Sequence, residues 1–504
     1  MNNSSYPNTK NPMSRNLSLL FLFCLLLTAC EIPGVGGAPK SATPATIRSL
    51  TLTDCALPTS TDRQIDAQCG VLNVPEDRAN LDGRQIALNI ALVPAVKRKP
   101  APDPLFMLAG GPGQSAVKTF PSMLRSLSDI HQDRDIVLVD QRGTGESNPL
   151  QCLDPEKDEN LTDQQAIIER LKACPAQLKA DLRFYTTEIA MQDLDAVRAA
   201  LGYETINLYG ASYGTRAALT YLRMFPERVR TVTLDAVVDS DFVMFMDAAN
   251  DGQKSLDFFF ARCVSDQACH AAFPDLQTEF DALLKRLDAA PAEITIPDPV
   301  TNEPLTLTVT RKILTSMVFN TLYAPDLVAI LPLNIHVAYA DGNYLPLISQ
   351  AYLLDAGLYD GMFYAVACTE DASLITESIA EELSQDSVFG NITLDFVEVC
   401  TQWPKGSVSA AFRAPVVSNV PVLIFSGEAD PITPPWHAEK VAASLGNELH
   451  LVFKGMGHGN LSSWCSANLL KDFVESASIA GLETECVSAI EPPPFFVNFN
   501  GPRP

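Results

Sequence analysis

An α/β fold on a mainly parallel sheet is what the sequence predicts, and three observations carry that prediction. Short runs rich in Val, Ile and Leu recur from about residue 85 onward. They are apolar at both parities, as strands buried on both faces are. Segments of helical spacing lie between them. QIALNIALVPAV (85–96), PLFMLAG (104–110), DIVLVD (135–140), TINLYG (205–210) and VRTVTLDAV (229–237) read as strands. EIAMQDLDAVRAALG (188–202) and TRAALTYLRMF (215–225) read as helices among them. PVLIFSGEAD (421–430) and ELHLVFKG (448–455) resume the strand pattern late in the chain. In between, residues 241–290 have helical spacing, 293–310 suggest a hairpin around a Pro-Asn turn, and helical spacing returns from 311 to about 356. Residues 241–410 thus read as an insertion between two parts of one sheet, 47–240 and 411–495.

Composition limits what such a fold can be doing. The chain has 504 residues, 47% hydrophobic and 19% charged, which suits a folded globular protein. With 36 basic and 60 acidic residues, the net charge is −24. Nucleic-acid binding rests on neutralising phosphates with Lys and Arg, so no nucleic-acid partner is expected. Docking on acidic lipid through a basic patch is excluded on the same ground.

The N-terminus reads as an address. Residues 1–16 carry only basic charges, Lys10 and Arg15, and are followed by the uncharged run LSLLFLFCLLLTA (17–29). That run is too short to span a bilayer, which takes about 20 residues, but has the length of a signal-peptide core. It ends in Leu27-Thr28-Ala29-Cys30, which resembles a bacterial lipobox. The resemblance implies removal of residues 1–29 and lipidation of Cys30. It implies a bacterial envelope location on the periplasmic face, and Glu31, in place of Asp, favours the outer membrane. Residues 30–46 are rich in Gly, Pro, Ala and Thr and read as a flexible tether.

Twelve cysteines are present. Cys24 leaves with the signal and Cys30 takes lipid, so ten remain, an even number in an exported chain. They fall as five close couples, and sequential pairing is the simplest connectivity: Cys55–Cys69, Cys152–Cys174, Cys263–Cys269, Cys368–Cys400 and Cys465–Cys486. The sequence has no C-x-x-C or H-E-x-x-H, and its six histidines are scattered, so no metal site is expected.

Five motifs carry the chemistry. Gly210-Ala211-Ser212-Tyr213-Gly214 lies between a buried strand and a helix, the context of a nucleophile elbow, with Ser212 the nucleophile. Gly110-Gly111-Pro112-Gly113 closes the strand before it, where glycines let backbone N–H groups approach a substrate. Gly111 and Tyr213 are the expected oxyanion donors. In Asp140-Gln141-Arg142-Gly143-Thr144-Gly145-Glu146-Ser147, Asp140 and Arg142 are read as organising the surrounding loops. Asp430, in Gly427-Glu428-Ala429-Asp430-Pro431 after a late strand, is the expected acid; Glu428 and Asp235 are its rivals. His458, in Gly455-Met456-Gly457-His458-Gly459, is the expected base, whereas His437 and His450 fall on a helix and in a strand.

Together these residues resemble the α/β-hydrolase fold, and more narrowly the proline iminopeptidase and tripeptidyl aminopeptidase group of serine peptidases. GGPG with Ser115, DQRGTGES, GASYG, GEADPITP and GMGHG stand in the family's order, and the resemblance covers about residues 50–490. The segment from about 400 to 490, with Trp464-Cys465, resembles the group's tripeptidyl-aminopeptidase C-terminal region. The resemblance implies an eight-stranded, mainly parallel sheet with a mostly helical cap, here residues 241–410. Ala109 stands where proline iminopeptidases usually have His before GGPG, which moves the match toward the tripeptidyl branch. Family exopeptidases grip the substrate's amino group with acidic cap residues, which points to Glu370 and Asp371 beside Cys368.

The expected activity is that of a serine hydrolase, an aminopeptidase acting through Ser212, His458 and Asp430 and an acyl-enzyme, with no cofactor. A carboxylesterase acting on small acyl esters uses the same groups and is the alternative. A non-catalytic binding lipoprotein is a third reading, disfavoured because all three residues and both oxyanion loops are present. The expected partners are a peptide or small ester substrate and, through the lipid, a membrane; a monomer is favoured.

Overall fold

The computed structural model of the chain describes residues 50–61, 63–153, 164–297, 304–351 and 357–502. The signal, tether and lipidation expectations, Cys30 included, lie outside them. The strands are β1 Thr53–Pro58, β2 Gln64–Pro75, β3 Gln85–Val93, β4 Leu105–Leu108, β5 Ile136–Val139, β6 Ile206–Ala211, β7 Val229–Asp235, β8 Ala292–Pro297, β9 Pro304–Val309, β10 Val422–Gly427 and β11 Glu448–Phe453. Nine of them form one sheet in the order β1-β2-β3-β5-β4-β6-β7-β10-β11, and β8 pairs with β9 as the expected antiparallel hairpin. Pairing is parallel from β5 through β11 and antiparallel among β1, β2, β3 and β5. The sheet thus has nine strands where eight were expected. Its edge strands are β11 and β1, the latter paired antiparallel with β2 and cross-linked to it by Cys55–Cys69.

The two-sided apolar pattern of the strands has a direct cause. Ile90, Leu92, Phe106, Val137, Leu208 and Ile424 enter one buried cluster. Their chain neighbours Ala91, Leu105, Met107, Ile136, Tyr209 and Phe425 enter another. Successive side chains of a strand point to opposite faces, so both clusters are filled by alternation along the same strands.

The helices that frame the site and its cap are α1 Thr187–Leu201, α2 Tyr213–Met224, α3 Met246–Ser265, α4 Leu276–Ala289, α5 Arg311–Leu322, α6 Asp360–Glu370, α7 Asn391–Cys400, α8 Pro435–Ala442 and α9 Trp464–Ser476. α1 is bounded as its sequence directs. The Thr186 hydroxyl accepts from the Ile189 N–H at its start, and Gly202 ends it at φ 79°. Helices α3 to α5 and the β8–β9 hairpin share a separate apolar cluster that includes Phe259, Phe280, Leu283 and Val318, so this part of the inserted segment has a core of its own, whereas α6 and α7 send Met362, Val366, Phe396 and Val399 into the cluster of the sheet.

The five disulfides join the cysteines as sequential pairing predicts, Cys55–Cys69, Cys152–Cys174, Cys263–Cys269, Cys368–Cys400 and Cys465–Cys486. Among the described residues no group of His, Cys, Asp or Glu could hold a metal ion, and no helix is long and apolar enough to cross a membrane.

A buried ion triad ties the insertion to the sheet. His437 on α8 has Nδ1 2.6 Å from Asp239, just after β7, and Nε2 2.6 Å from Asp251 on α3. Burial opposes the imidazolium, but a carboxylate on each nitrogen outweighs it and raises the pKa from 6.5 to about 9. A raised folded-state pKa means the triad's contribution to stability is complete below pH about 6.5 and is lost as pH rises toward 9. The full span is on the order of 3 kcal/mol. Urea midpoints of the wild type should therefore fall across this window, with that component missing from the His437→Gln variant. Parallel pH profiles for the two proteins would rule the triad out as the source.

Candidate active site

The carboxyl ends of the parallel strands converge on one place. β4 leads into Gly110, β6 into Ser212, β7 ends at Asp235, β10 leads to Asp430 and β11 to His458. Open α/β sheets place their ligands at this edge.

Ser212 sits in a sharp turn at φ 55°, ψ −126°, a left-handed backbone in a residue that is not glycine. The flanking glycines are sterically required. A Cβ on Gly210 would lie 2.2 Å from the Gly214 carbonyl oxygen, and one on Gly214 would lie 2.2 Å from that of Leu108. The GGPG loop lies against the serine, since a Cβ on Gly110 would come within 3.1 Å of Ser212 Cβ. The Gly110 N–H is taken by Gln114 Oε1 at 3.1 Å. Among the described residues, the N–H groups of Gly111 and Tyr213 donate to no protein acceptor. Tyr213 opens α2, where a free N–H and the helix dipole both favour an anion.

His458 and Asp430 are in direct contact, with Nδ1 2.8 Å from Oδ2. Asp430 is fully buried, and its other contacts fix its plane. Oδ1 accepts from the Ile432 and Thr433 N–H groups at 2.9 Å, and Oδ2 accepts from the Thr433 hydroxyl at 2.8 Å. Burial alone would raise the Asp430 pKa; His458 and these donors bring it below the ordinary value. For His458, burial opposes the cation, but Asp430 and, at longer range, Asp235 raise its pKa overall. The cap touches this loop directly: the His458 N–H donates to the Tyr323 carbonyl at 2.9 Å, and the two rings meet edge to face at 5.0 Å.

The rivals for the acid have other partners. Glu428 accepts from the Gly455 N–H at 2.8 Å. Asp235 connects the two halves of the site. Its carbonyl accepts from the Ser212 N–H at 2.9 Å, while its carboxylate accepts from the Asn460 and Leu461 N–H groups, at 2.8 and 3.0 Å. The serine turn and the histidine loop therefore share one anchor. His450, the strand histidine, meets the Ser426 hydroxyl at 2.9 Å.

Asp140 and Arg142 organise loops, as their motif suggested. The Asp140 carboxylate accepts from the Ser115 hydroxyl at 2.5 Å, the Val117 N–H at 3.1 Å and Asn89 Nδ2 at 2.8 Å. It thus holds the segment after GGPG onto β3. Gly145 must be glycine, because at φ 52° its Cβ would overlap the Asp140 carboxylate.

Glu370 and Asp371 are placed differently from the sequence expectation, which set them toward a substrate amino group. Both are buried, at 3% and 1% exposure, and their partners lie within the protein. Glu370 Oε1 accepts from the Thr187 N–H at 2.7 Å and Oε2 from the Thr187 hydroxyl at 3.0 Å, with Arg216 3.6 Å away. Asp371 pairs with Arg216 at 3.1 Å and with Arg413. Burial pushes Glu370 up to about 7 against the pull of Arg216. The physical reason for the difference is neutralisation: two guanidiniums far off in sequence already compensate both carboxylates. Sequence reading also missed Thr433, Tyr323 and Asn460. Only Thr433 had a local signal, an Asp followed three residues later by a hydroxyl in a turn.

Comparison with known proteins agrees with the fold. A family profile described as alpha/beta hydrolase fold matches residues 103–462. The serine protease Hip1 of Mycobacterium tuberculosis is 26% identical over 479 residues, 86% of this chain and 89% of the relative. The tripeptidyl aminopeptidase of Streptomyces coelicolor is 31% identical over 222 residues, 40% of each chain. The proline iminopeptidase of Neisseria gonorrhoeae is 26% identical over 134 residues, 27% of this chain and 32% of the relative.

Proposed function

We propose, for a chain that belongs to the alpha/beta hydrolase fold family and is a serine hydrolase, that it is an aminopeptidase acting through Ser212, His458 and Asp430. The observation that carries this reading is the paired His458 and Asp430 on the loops after β11 and β10, anchored through Asp235 to the strained Ser212 turn. In this mechanism Ser212 Oγ attacks the substrate carbonyl carbon as His458 Nε2 removes its proton. Asp430 holds the tautomer with the proton on Nδ1 and stabilises the imidazolium. The Gly111 and Tyr213 N–H groups receive the developing oxyanion. His458 then protonates the leaving amine, and water, deprotonated by the same imidazole, releases the acid. The raised His458 pKa sets the sign of the pH dependence: activity falls as pH drops and the base is lost to protonation.

The names of the relatives, a serine protease, a tripeptidyl aminopeptidase and a proline iminopeptidase, support peptides as the substrate class. The Leu-Thr-Ala-Cys sequence ending at Cys30 supports export and a lipid anchor in a bacterial envelope, with the outer membrane favoured. A monomer is favoured.

The test compares kcat/KM for aminoacyl and tripeptidyl amides, their N-blocked counterparts and short acyl esters. Free-amino peptide amides should exceed their blocked forms by about 10-fold or more, the order of one lost polar contact. Rapid ester turnover with no amide cleavage would make the protein a carboxylesterase instead.

A further inference from the structure

We propose that Glu370 is a positioning residue for the oxyanion site, acting through Thr187 on Tyr213; this rests on the reading of the Tyr213 N–H as an oxyanion donor. Tyr213 OH lies 2.7 Å from Thr187 Oγ1, which lies 3.0 Å from Glu370 Oε2. All three residues are buried. When Glu370 is ionised its carboxylate can only accept, so the Thr187 hydroxyl donates to it and the Tyr213 phenol donates to Thr187. Burial keeps that phenol protonated. Tyr213 directly follows the nucleophile, so fixing its ring fixes the peptide plane that carries the N–H.

The same cap helix reaches the second oxyanion loop from its other end. The Tyr359 N–H, just before α6, donates to the Gly113 carbonyl at 2.9 Å. A Cβ on Gly111 would lie 3.0 Å from Leu358, and one on Gly113 would lie 2.8 Å from the Tyr359 carbonyl oxygen. At the GGPG end, Asp360 accepts from the Cys152 and Leu153 N–H groups at 2.6 and 2.9 Å, and near the Glu370 end Cys368 is bonded to Cys400. Helix α6 is therefore a strut spanning GGPG at one end and the elbow at the other. Glu370 is the end that grips the elbow. A transition-state donor displaced by a fraction of an ångström loses much of its effect while substrate binding is retained.

The experiment uses the full mature chain with the best peptide amide substrate, and kcat is expressed per site titrated with a fluorophosphonate. Thr187→Val cuts the chain of hydroxyls but leaves the Thr187 N–H on Glu370. Its kcat should fall about 10-fold with KM within about 2-fold, a fraction of the loss for removing a whole oxyanion donor. Thr187→Ser should restore the rate. Tyr213→Phe, which also removes a contact with Gln141, should lose at least as much as Thr187→Val, and the double variant should be no slower than Tyr213→Phe, because both break one chain. Affinity for a peptide boronate, which mimics the tetrahedral oxyanion, should fall in parallel with kcat. Glu370→Gln, close in shape, covers the case in which Thr187→Val does not fold. An unchanged kcat per titrated site in folded variants would overturn the proposal, leaving a purely structural cluster. So would a rise in KM at constant kcat, which would return Glu370 to substrate binding. If wild-type protein takes up no fluorophosphonate, the triad reading has failed instead.

Discussion

Ser212→Ala should lower kcat on every substrate by about 10⁴–10⁶-fold, abolish fluorophosphonate labelling and leave the fold intact. The residual rate should come from binding and the oxyanion donors alone. The case rests on how little else in the turn can act as nucleophile. Ala211 and the two glycines have no reactive group. The Thr215 hydroxyl donates to the Ser212 carbonyl at 2.6 Å, and Tyr213 is turned inward to Thr187. Removing Oγ also relieves no packing constraint, because the strain at φ 55° belongs to the backbone. Thermal midpoints of wild type and variant should therefore agree within a few degrees, so lost turnover cannot be ascribed to unfolding. Undiminished turnover in the variant would sink the assignment of the nucleophile.

Arg142→Met should destabilise the protein by about 3–5 kcal/mol, the cost of leaving a buried ion without its partner. Arg142 is fully buried. Its Nε and Nη2 meet Asp193 on α1 at 2.7 and 2.9 Å, and Nη1 donates to the Glu76 and Phe184 carbonyls at 2.8 Å each. One side chain thus joins β2, the loop after β5, the segment before α1 and α1 itself. Methionine retains much of the volume but none of the donors, leaving two carbonyls and a carboxylate short of partners. Arg78 also reaches Asp193, so the remaining charge is not wholly uncompensated. Urea denaturation at pH 7 would show a lower midpoint at an unchanged slope. A shift worth less than about 1 kcal/mol would mean the site relaxes or admits water. Asp193→Asn should cost less than Arg142→Met, since an amide oxygen still accepts from the guanidinium.

The parallel core was legible because its strands are buried on both faces, and that condition writes itself into composition. Strands β1 and β2 were not. β1, TDCALP, buries only Leu57 fully, and β2 mixes Gln, Asp, Asn and Gly into its length, so neither shows a two-sided apolar run. Their place at the sheet edge comes from pairing and a disulfide, which no local window displays. In the site, the serine and histidine motifs were readable because close backbone approach forces glycine at fixed offsets. Glu370 and Asp371 were set toward a substrate because the family resemblance calls for acidic cap residues and these are two adjacent carboxylates within the cap. Their counter-ions, Arg216 on α2 and Arg413, are brought to them only by the fold. Asp235 entered only as a rival to Asp430 for the acid, and its part is to hold two loops together, a relation visible only once β6, β7 and the loop after β11 lie side by side.

The five disulfides never interleave: each closes over 6 to 32 positions before the next begins. A chain emerging from its N-terminus would present each thiol with its correct mate before any later couple arrives. Oxidation can then run in order of emergence, with no bond needing to be broken and re-formed for another. The nearest neighbour in sequence is also the right neighbour in space, and vectorial synthesis or translocation would by itself select the native set.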